Sequence, residues 1–276
     1  MTTSNQQPDG PDLAVVIVSW NTADLLRACL RSLLASSGTC RLEVIVVDNA
    51  SRDGSPAMVR REFPQVSLIE NAANQGFAKA NNQGITASQA GFVMLLNSDT
   101  EVPPGALDAL LNFMAIHPEA GACGPSLVRP GGSPQPYAFG GDPTLAYLLA
   151  RGLNRALFRR YLHDWATTVT QPVDWVSGAC LLARRAAIQQ AGLLDENLFM
   201  YFEDNDWCLR LRQAGWKIYL YPPVKVVHLG GQSFANNPAA RDAYAHSLRY
   251  FYGKHYAPPA QWLLRLLLPL YRRVGA

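Results

Sequence analysis

"VMLLNSDTEVPPGAL", residues 93–107, decides the fold. Its first half is a short apolar run of the kind that fills a strand buried on both faces. The run stops at Asn97, Ser98, Asp99 and Glu101, whose side-chain oxygens suit cations and hydrogen-bond donors. Residues 13–19 ("LAVVIVS"), 43–48 ("EVIVVD") and 66–70 share the apolar, β-branched character of residues 92–96, and segments of helical spacing separate them. Between the first two runs, Leu25, Leu26, Cys29, Leu30, Leu33 and Leu34 recur at three- and four-residue steps, one face of an amphipathic helix. The reading is βαβαβαβ, an α/β chain built on a mainly parallel sheet with crossover helices.

In sheets of this kind ligands gather beyond the carboxyl ends of the strands, where loops and helix N-termini converge. The polar residues at and after each strand end are therefore the first site candidates. They are Ser19, Trp20 and Asn21, then Asp48, Asn49 and Ser51, then Asn71 and Asn74, then Asn97, Ser98 and Asp99. Further along, residues 124–143 are crowded with Gly and Pro and predict an irregular loop over the site. Residues 173–176 and 179–183 read as strands and 204–214 as a helix. "GWKIYLYPPVKVVHLGG" (215–231) reads as two short strands broken by Pro222 and Pro223.

The 276 residues, 49% hydrophobic and 16% charged, have the balance of a globular chain with a sizeable core. A formal charge of +3 is too small to argue for nucleic acid as a partner. The five cysteines are scattered, with no C-x-x-C pair for zinc or redox chemistry, so a reducing compartment and a cytoplasmic location are expected. Residues 1–11 lack the pattern of a signal peptide and read as a flexible tail. No run approaches the roughly 20 apolar residues of a spanning helix. "QWLLRLLLPLYRR" (261–273) admits two readings: an amphipathic segment lying on an anionic membrane through residues 260–273, or a terminal helix docked on the core or on a second subunit of a homodimer.

Several motifs carry chemistry. Asp99, projecting from a strand end, suits Mg2+ or Mn2+, which complete their shells with substrate phosphate oxygens; the alternative is that the Asn97-Ser98-Asp99 turn only caps a helix starting near Pro103 or Pro104. Asp48 is placed to accept hydrogen bonds from a base or ribose, the alternative being an Asx turn. In "NAANQGFAKANNQG" (71–84), Asn74, Gly76, Asn81 and Asn82 combine close backbone approach with a helix N-terminus that favours anions. The G-x-G-x-x-G spacing of nicotinamide sites is missing. "MYFEDNDWCLRLRQAGW" (200–216) packs Glu203, Asp204 and Asp206 into one helix start beside aromatic residues, where neighbouring carboxylates raise at least one pKa and prepare a general base. The alternative there is N-capping by Glu203 or Asp204, with Asp206 paired to Arg210. His228, after a strand and before Gly230 and Gly231, is placed to ligate a metal or touch a diphosphate.

Taken in order and spacing, "VVIVSWN", "VIVVDNASRDGS", "NQGFAKANNQG", "VMLLNSDTEV", "VSGACLLARR", "FMYFEDNDWCLRLRQAGW" and "VVHLGG" resemble the family 2 glycosyltransferases of GT-A fold, and among them bacterial rhamnosyltransferase-like enzymes of cell-surface polysaccharide synthesis. The resemblance implies an inverting transfer of a sugar, rhamnose by preference, from a dTDP- or UDP-sugar to a glycan or lipid-linked acceptor. It places the metal on Asp99 and His228, with Asn97 standing where many relatives have Asp. The catalytic base falls on Asp204 beside Glu203. Donor contacts fall on Ser19, Asn21, Asp48, Asn49, Asn74, Gly76, Asn81 and Ser98. The sugar and acceptor pocket falls on Trp175, Ser177, Gly178 and Asp206. The implied layout is a GT-A domain over 12–235, with a nucleotide-sugar half (12–100) and an acceptor half (101–235), followed by a helical segment at 236–276. A sugar nucleotidyltransferase would need a glycine-rich basic loop near the start, and "VSWNTADLLRACL" has none. Asp99, Asp204 and His228 together speak against a catalytically silent binding module.

Overall fold

The computed structural model describes residues 10–36, 38–230 and 238–274, with side chains 238–241 and 269–274 excepted. Most of the expected tail, Gly231 and the expected boundary at 235 lie outside the described residues. The first half runs β1 (Leu13–Ser19), α1 (Ala23–Ser36), β2 (Leu42–Asp48), α2 (Ser55–Glu62), β3 (Ser67–Glu70), α3 (Phe77–Ala87) and β4 (Phe92–Asn97). Next come β5 (Thr100–Glu101), α4 (Ala106–Ile116), β6 (Ala120–Val128), β7 (Phe139–Gly140), α5 (Leu145–Leu153) and a π-helical segment (Asn154–Phe158). The chain continues through β8 (Gln171–Val173), β9 (Trp175–Val176), β10 (Cys180–Arg184), α6 (Arg185–Ala191), α7 (Glu203–Gln213) and β11 (Lys217–His228), and closes with α8 (Pro238–His255) and α9 (Pro258–Val274).

The main sheet has the order β3-β2-β1-β4-β10-β6-β11-β5, with β8 also on β11. Strands β3, β2, β1 and β4 are mutually parallel, as their apolar runs predict, whereas β10 lies antiparallel to both β4 and β6. The sheet is mixed and mainly parallel, sandwiched by helices, the α/β class expected. Register sets Ser19 opposite Asp48 and Val18 opposite Asn97, so the polar strand ends form one rim. Helix α3 rests directly on β1: a Cβ on Gly84 would lie 2.3 Å from Val16 Cγ1, so only glycine permits this approach.

Three expectations need correction. Residues 120–128 form the buried strand β6, and the irregular stretch begins only at Arg129. Small residues hid the strand: a side chain at Gly124 would meet Val176 at 2.8 Å, so packing of the neighbouring layer, not β-propensity, dictates "AGACGPSLV". The run 173–176 divides at Asp174, with β8 joining the main sheet and β9 pairing with β7. Pro222 and Pro223 do not separate two strands. They sit in the register shift between Tyr221 and Lys225 of the single strand β11, where no ladder donor is required.

The C-terminal helices build a second, smaller core. Leu148 of α5, Leu248, Phe251 and Tyr252 of α8, and Leu264 and Leu268 of α9 close around Leu198 and Phe202. Phe202 immediately precedes Glu203 and Asp204, so the helical extension supports the start of α7. No helix among the described residues is long and apolar enough to cross a membrane.

Candidate active site

Along the rim, β1 and β4 are tied by a chain of hydroxyls. Ser19 Oγ lies 3.0 Å from Thr22 Oγ1, which donates to Ser98 Oγ at 3.0 Å. Asn21 adopts a left-handed φ of 55°, and its side chain accepts from the Arg52 amide at 2.7 Å, fastening this turn to the one after β2. Asp48 is buried. Its Oδ2 accepts from the Ser51 amide at 2.8 Å, as in the Asx turn, yet its Oδ1 has no partner. A buried carboxylate oxygen left bare costs about 1–3 kcal/mol or more, which fits an atom kept for a ligand donor. Asn49 holds the next loop by donating to the Gly76 carbonyl at 3.1 Å, and Asn74 caps that loop by accepting from the Gly76 amide at 2.9 Å. Asn81 donates to the Phe77 carbonyl at 2.9 Å and keeps a second bare buried oxygen, Oδ1.

At the end of β4 and β11 the structure brings Asp99 and His228 together, with Oδ1 and Nε2 3.2 Å apart. On the other side of the ring, Gln135 Oε1 lies 2.9 Å from Nδ1. Nε2 also lies 3.1 Å from the Asn97 side-chain Nδ2, so this ring nitrogen faces both Asn97 and Asp99. A carboxylate oxygen and an imidazole nitrogen at this spacing are placed as neighbouring ligands of one divalent cation, and the Gln135 contact would hold the imidazole in that orientation. The donor set of one carboxylate and one imidazole leaves most of an octahedral shell for phosphate oxygens and water. The described residues hold no cluster of three or more metal-ligating side chains, so a cation there depends on the substrate for the rest of its shell.

Asp204 is the second residue of α7. Its Oδ2 accepts from the Gly178 amide at 3.1 Å and its Oδ1 from the Asn205 amide at 2.8 Å. Desolvation raises its pKa above the ordinary aspartate value despite these bonds. Glu203, buried and with Oε2 unpartnered, is raised well above its ordinary value by desolvation first and by the Asp204 charge second. The turn after β9 joins the end of β4 to the start of α7: the Asn97 backbone amide donates to the Ala179 carbonyl at 3.0 Å, one residue from the Gly178 amide that holds Asp204. Phe77, at the start of α3, packs against the same turn, 3.2 Å from where a Gly178 Cβ would sit.

The model of Glycosyl transferase family 2 matches residues 14–166, and that of Glycosyl transferase family group 2 matches residues 92–274. The chain belongs to glycosyltransferase family 2. Among the relatives of this family 2 glycosyltransferase is the N-acetylglucosaminyl-diphospho-decaprenol L-rhamnosyltransferase of Mycobacterium tuberculosis, 34% identical over 94% of the chain and 91% of the relative. A mannosyltransferase from Pyrobaculum calidifontis, solved with GDP-Man and Mn2+, superposes with a TM-score of 0.62 at 21% identity, covering 95% of this chain and 68% of that one. GalNAc-T7, solved with UDP, GalNAc and Mn2+, gives a TM-score of 0.62 at 16% identity, covering 88% of this chain and 48% of that one. At these identities the two structures establish the fold, a GT-A type sheet.

Within the glycosyltransferase, the acidic cluster of α7 divides. Asp206, expected in the acceptor pocket, is fully buried instead and meets Arg210 Nε at 2.8 Å, Lys254 Nζ at 2.7 Å and His255 Nε2 at 2.7 Å. Burial works to raise its pKa, but bonds from His255 and Lys254 and the Arg210 charge outweigh it and hold the carboxyl below the usual range. It is a brace between α7 and α8, because helical spacing turns Asp206 away from the face Asp204 uses. Trp175 donates its indole N–H to the Gly141 carbonyl at 3.0 Å and packs on Gly140, which commits its polar edge to the loop. Ser177 positions the turn, its amide donating to the Ala138 carbonyl at 2.9 Å. Sequence reasoning missed Thr22, Gln135 and Phe77. Gln135 sits in a Gly/Pro-rich stretch with no periodic signal, and only the return of that loop onto β11 gives it a role.

Proposed function

We propose that this chain is an inverting, divalent-cation-dependent glycosyltransferase that moves a sugar, rhamnose by its likeness to the mycobacterial enzyme, from a nucleoside-diphosphate donor to a hydroxyl of a lipid-linked glycan acceptor. The observation that carries the reading is the pair of hydrogen bonds, Asn97 to Ala179 and Gly178 to Asp204, that fixes the Asp99–His228 strand ends and the α7 carboxylate to one turn.

The bare Oδ1 of Asp48 receives an N–H or O–H of the nucleoside, and the Ser19–Thr22–Ser98 hydroxyls line the path toward the diphosphate. Asp99 and His228 would hold Mg2+ or Mn2+, the ion crystallised with both structural relatives. When bound, such a cation supplies charge neutralisation for the diphosphate leaving group. Asp204 accepts the proton of the acceptor hydroxyl at a carboxylate oxygen as the oxygen attacks the anomeric carbon. The Gly178 and Asn205 amides keep the carboxylate aimed while its raised pKa brings its basicity nearer the working pH. Burial and the Asp204 charge hold the adjacent Glu203 carboxyl well above the ordinary glutamate range, which disfavours a second negative charge beside Asp204. A single displacement from the opposite face needs no enzymic nucleophile, hence inversion.

The test is a panel of nucleotide sugars screened with and without Mn2+ for donor hydrolysis and for transfer to a polyprenyl-diphosphate-linked sugar. Asp99→Ala is expected to weaken metal-dependent donor binding, and Asp204→Asn to spare binding and abolish transfer. Donor binding lost in Asp204→Asn but intact in Asp99→Ala would reverse the two roles.

A further inference from the structure

We propose that α5, the π-helical segment after it and α9 form a docking surface for a bilayer of anionic lipid. Helix α9 is apolar on more than the face it buries. Leu264 and Leu268 fill the second core, whereas Trp262 is 63% exposed and Leu266 53%. Helix α5 packs on α9 and repeats the pattern: Leu148 enters the same core, while Leu153 and then Leu157 and Phe158 stand in the open, the last two 68% and 64% exposed. Large apolar side chains on a soluble surface are normally scattered singly, and a cluster on adjoining elements marks an interaction site.

Charge selects the partner. Residues 143–163 contain four arginines, among them the exposed Arg155, Arg159 and Arg160, and no Asp or Glu; no acidic residue follows Asp242 in the chain, while exposed Arg265 lies between Trp262 and Leu266. The molecule as a whole is nearly balanced, with 24 basic and 21 acidic residues, so these acid-free stretches depart from the chain's average. Leucines and aromatics entering the acyl boundary, with guanidinium groups among the headgroup phosphates, are the mode of an interfacial helix. A second copy of the chain is disfavoured, because a two-fold contact through this face would set arginine against arginine. The surface is joined to the site: Phe202, which precedes Glu203, is part of the core that α5 and α9 cover. This surface does not rest on the roles assigned to Asp99 and Asp204.

The experiment is co-sedimentation of the full chain with vesicles of mixed phosphatidylglycerol and phosphatidylcholine, and with phosphatidylcholine alone. Wild type is expected to bind the anionic vesicles about tenfold or more tightly than the neutral ones, and to lose that preference in high salt. Leu157→Glu with Phe158→Glu, Trp262→Glu with Leu266→Glu, and Arg155→Glu with Arg159→Glu each lower anionic-vesicle binding by about tenfold. Every one of these side chains is exposed, so the melting temperature and vesicle-free donor hydrolysis stay at wild-type values in all three. No binding of wild type to anionic vesicles, binding unchanged in the variants, or a wild-type dimer in light scattering that the same variants dissociate would each overturn the proposal. Absence of donor hydrolysis in wild type counts against the proposed transferase reaction and leaves the vesicle result standing.

Discussion

Exchanging the two aspartates of α7 for asparagine separates catalysis from stability within three residues. Asp206 is fully buried and meets the Arg210 and Lys254 cations and the His255 imidazole within 2.8 Å. Removing one partner from a buried ionic cluster costs about 3–5 kcal/mol. The Arg210 and Lys254 side chains keep 17% and 29% of their surface in water, and asparagine still accepts one hydrogen bond, so the low end applies: about 3 kcal/mol, or roughly 6–10 °C of melting temperature. Asp204→Asn keeps an acceptor for the Gly178 amide and removes a carboxylate that desolvation already disfavours, so its melting temperature stays within about 2 °C of wild type or rises. Turnover behaves oppositely: loss of a general base costs about 10²–10⁴ in kcat, while the folded fraction of Asp206→Asn retains most of its kcat. The measurements are thermal and urea unfolding beside initial-rate kinetics with saturating donor. The pKa of Asp206 is depressed in the folded state, so its contribution is present above the unfolded aspartate value and is lost as pH falls through the folded one. The stability gap between wild type and Asp206→Asn should therefore close in acid. An Asp206→Asn protein as stable as wild type at neutral pH, or an Asp204→Asn protein with normal kcat, would refute this division of the cluster.

Other outcomes follow from the same geometry. The acid limb of kcat lies above the ordinary aspartate pKa of about 3.9, because Asp204 is raised and must be ionised to act; a pH–rate profile reads it directly. Glu203 is raised in the folded state, so wild type loses stability as pH climbs from the ordinary glutamate value through the raised one. Glu203→Gln abolishes that loss in urea titrations at a series of pH values. His228→Ala removes the imidazole beside Asp99 and raises the Mn2+ concentration needed for donor binding by about tenfold or more, as calorimetry with and without metal would register. Gly84→Ala drives a methyl into Val16 and costs about 1–3 kcal/mol in urea unfolding, with no change in KM for donor.

The sequence by itself determined the parallel half of the sheet and the strand ends that carry the site. Buried strands need unbroken apolar runs, and the change from such a run to Asp48 or to Asn97-Ser98-Asp99 is visible in one dimension. It also located the acidic start of α7 and the histidine that ends β11, since each sits at the end of a periodic element. Only the tertiary structure decided what those groups face. Asp204 and Asp206 are the same residue type two positions apart, and a helix turns successive side chains by about 100°, so which one meets the Gly178 amide and which meets Arg210, Lys254 and His255 depends on how α8 packs. The pairing of Asp99 with His228, the hold of Gln135 on that imidazole, and the adjoining apolar faces of α5 and α9 come from residues tens of positions apart or more, joined by loops whose paths no local pattern encodes. Strand β6 was hidden for a related reason: its small residues answer to the neighbours that crowd it, and those neighbours exist only once the sheet has formed.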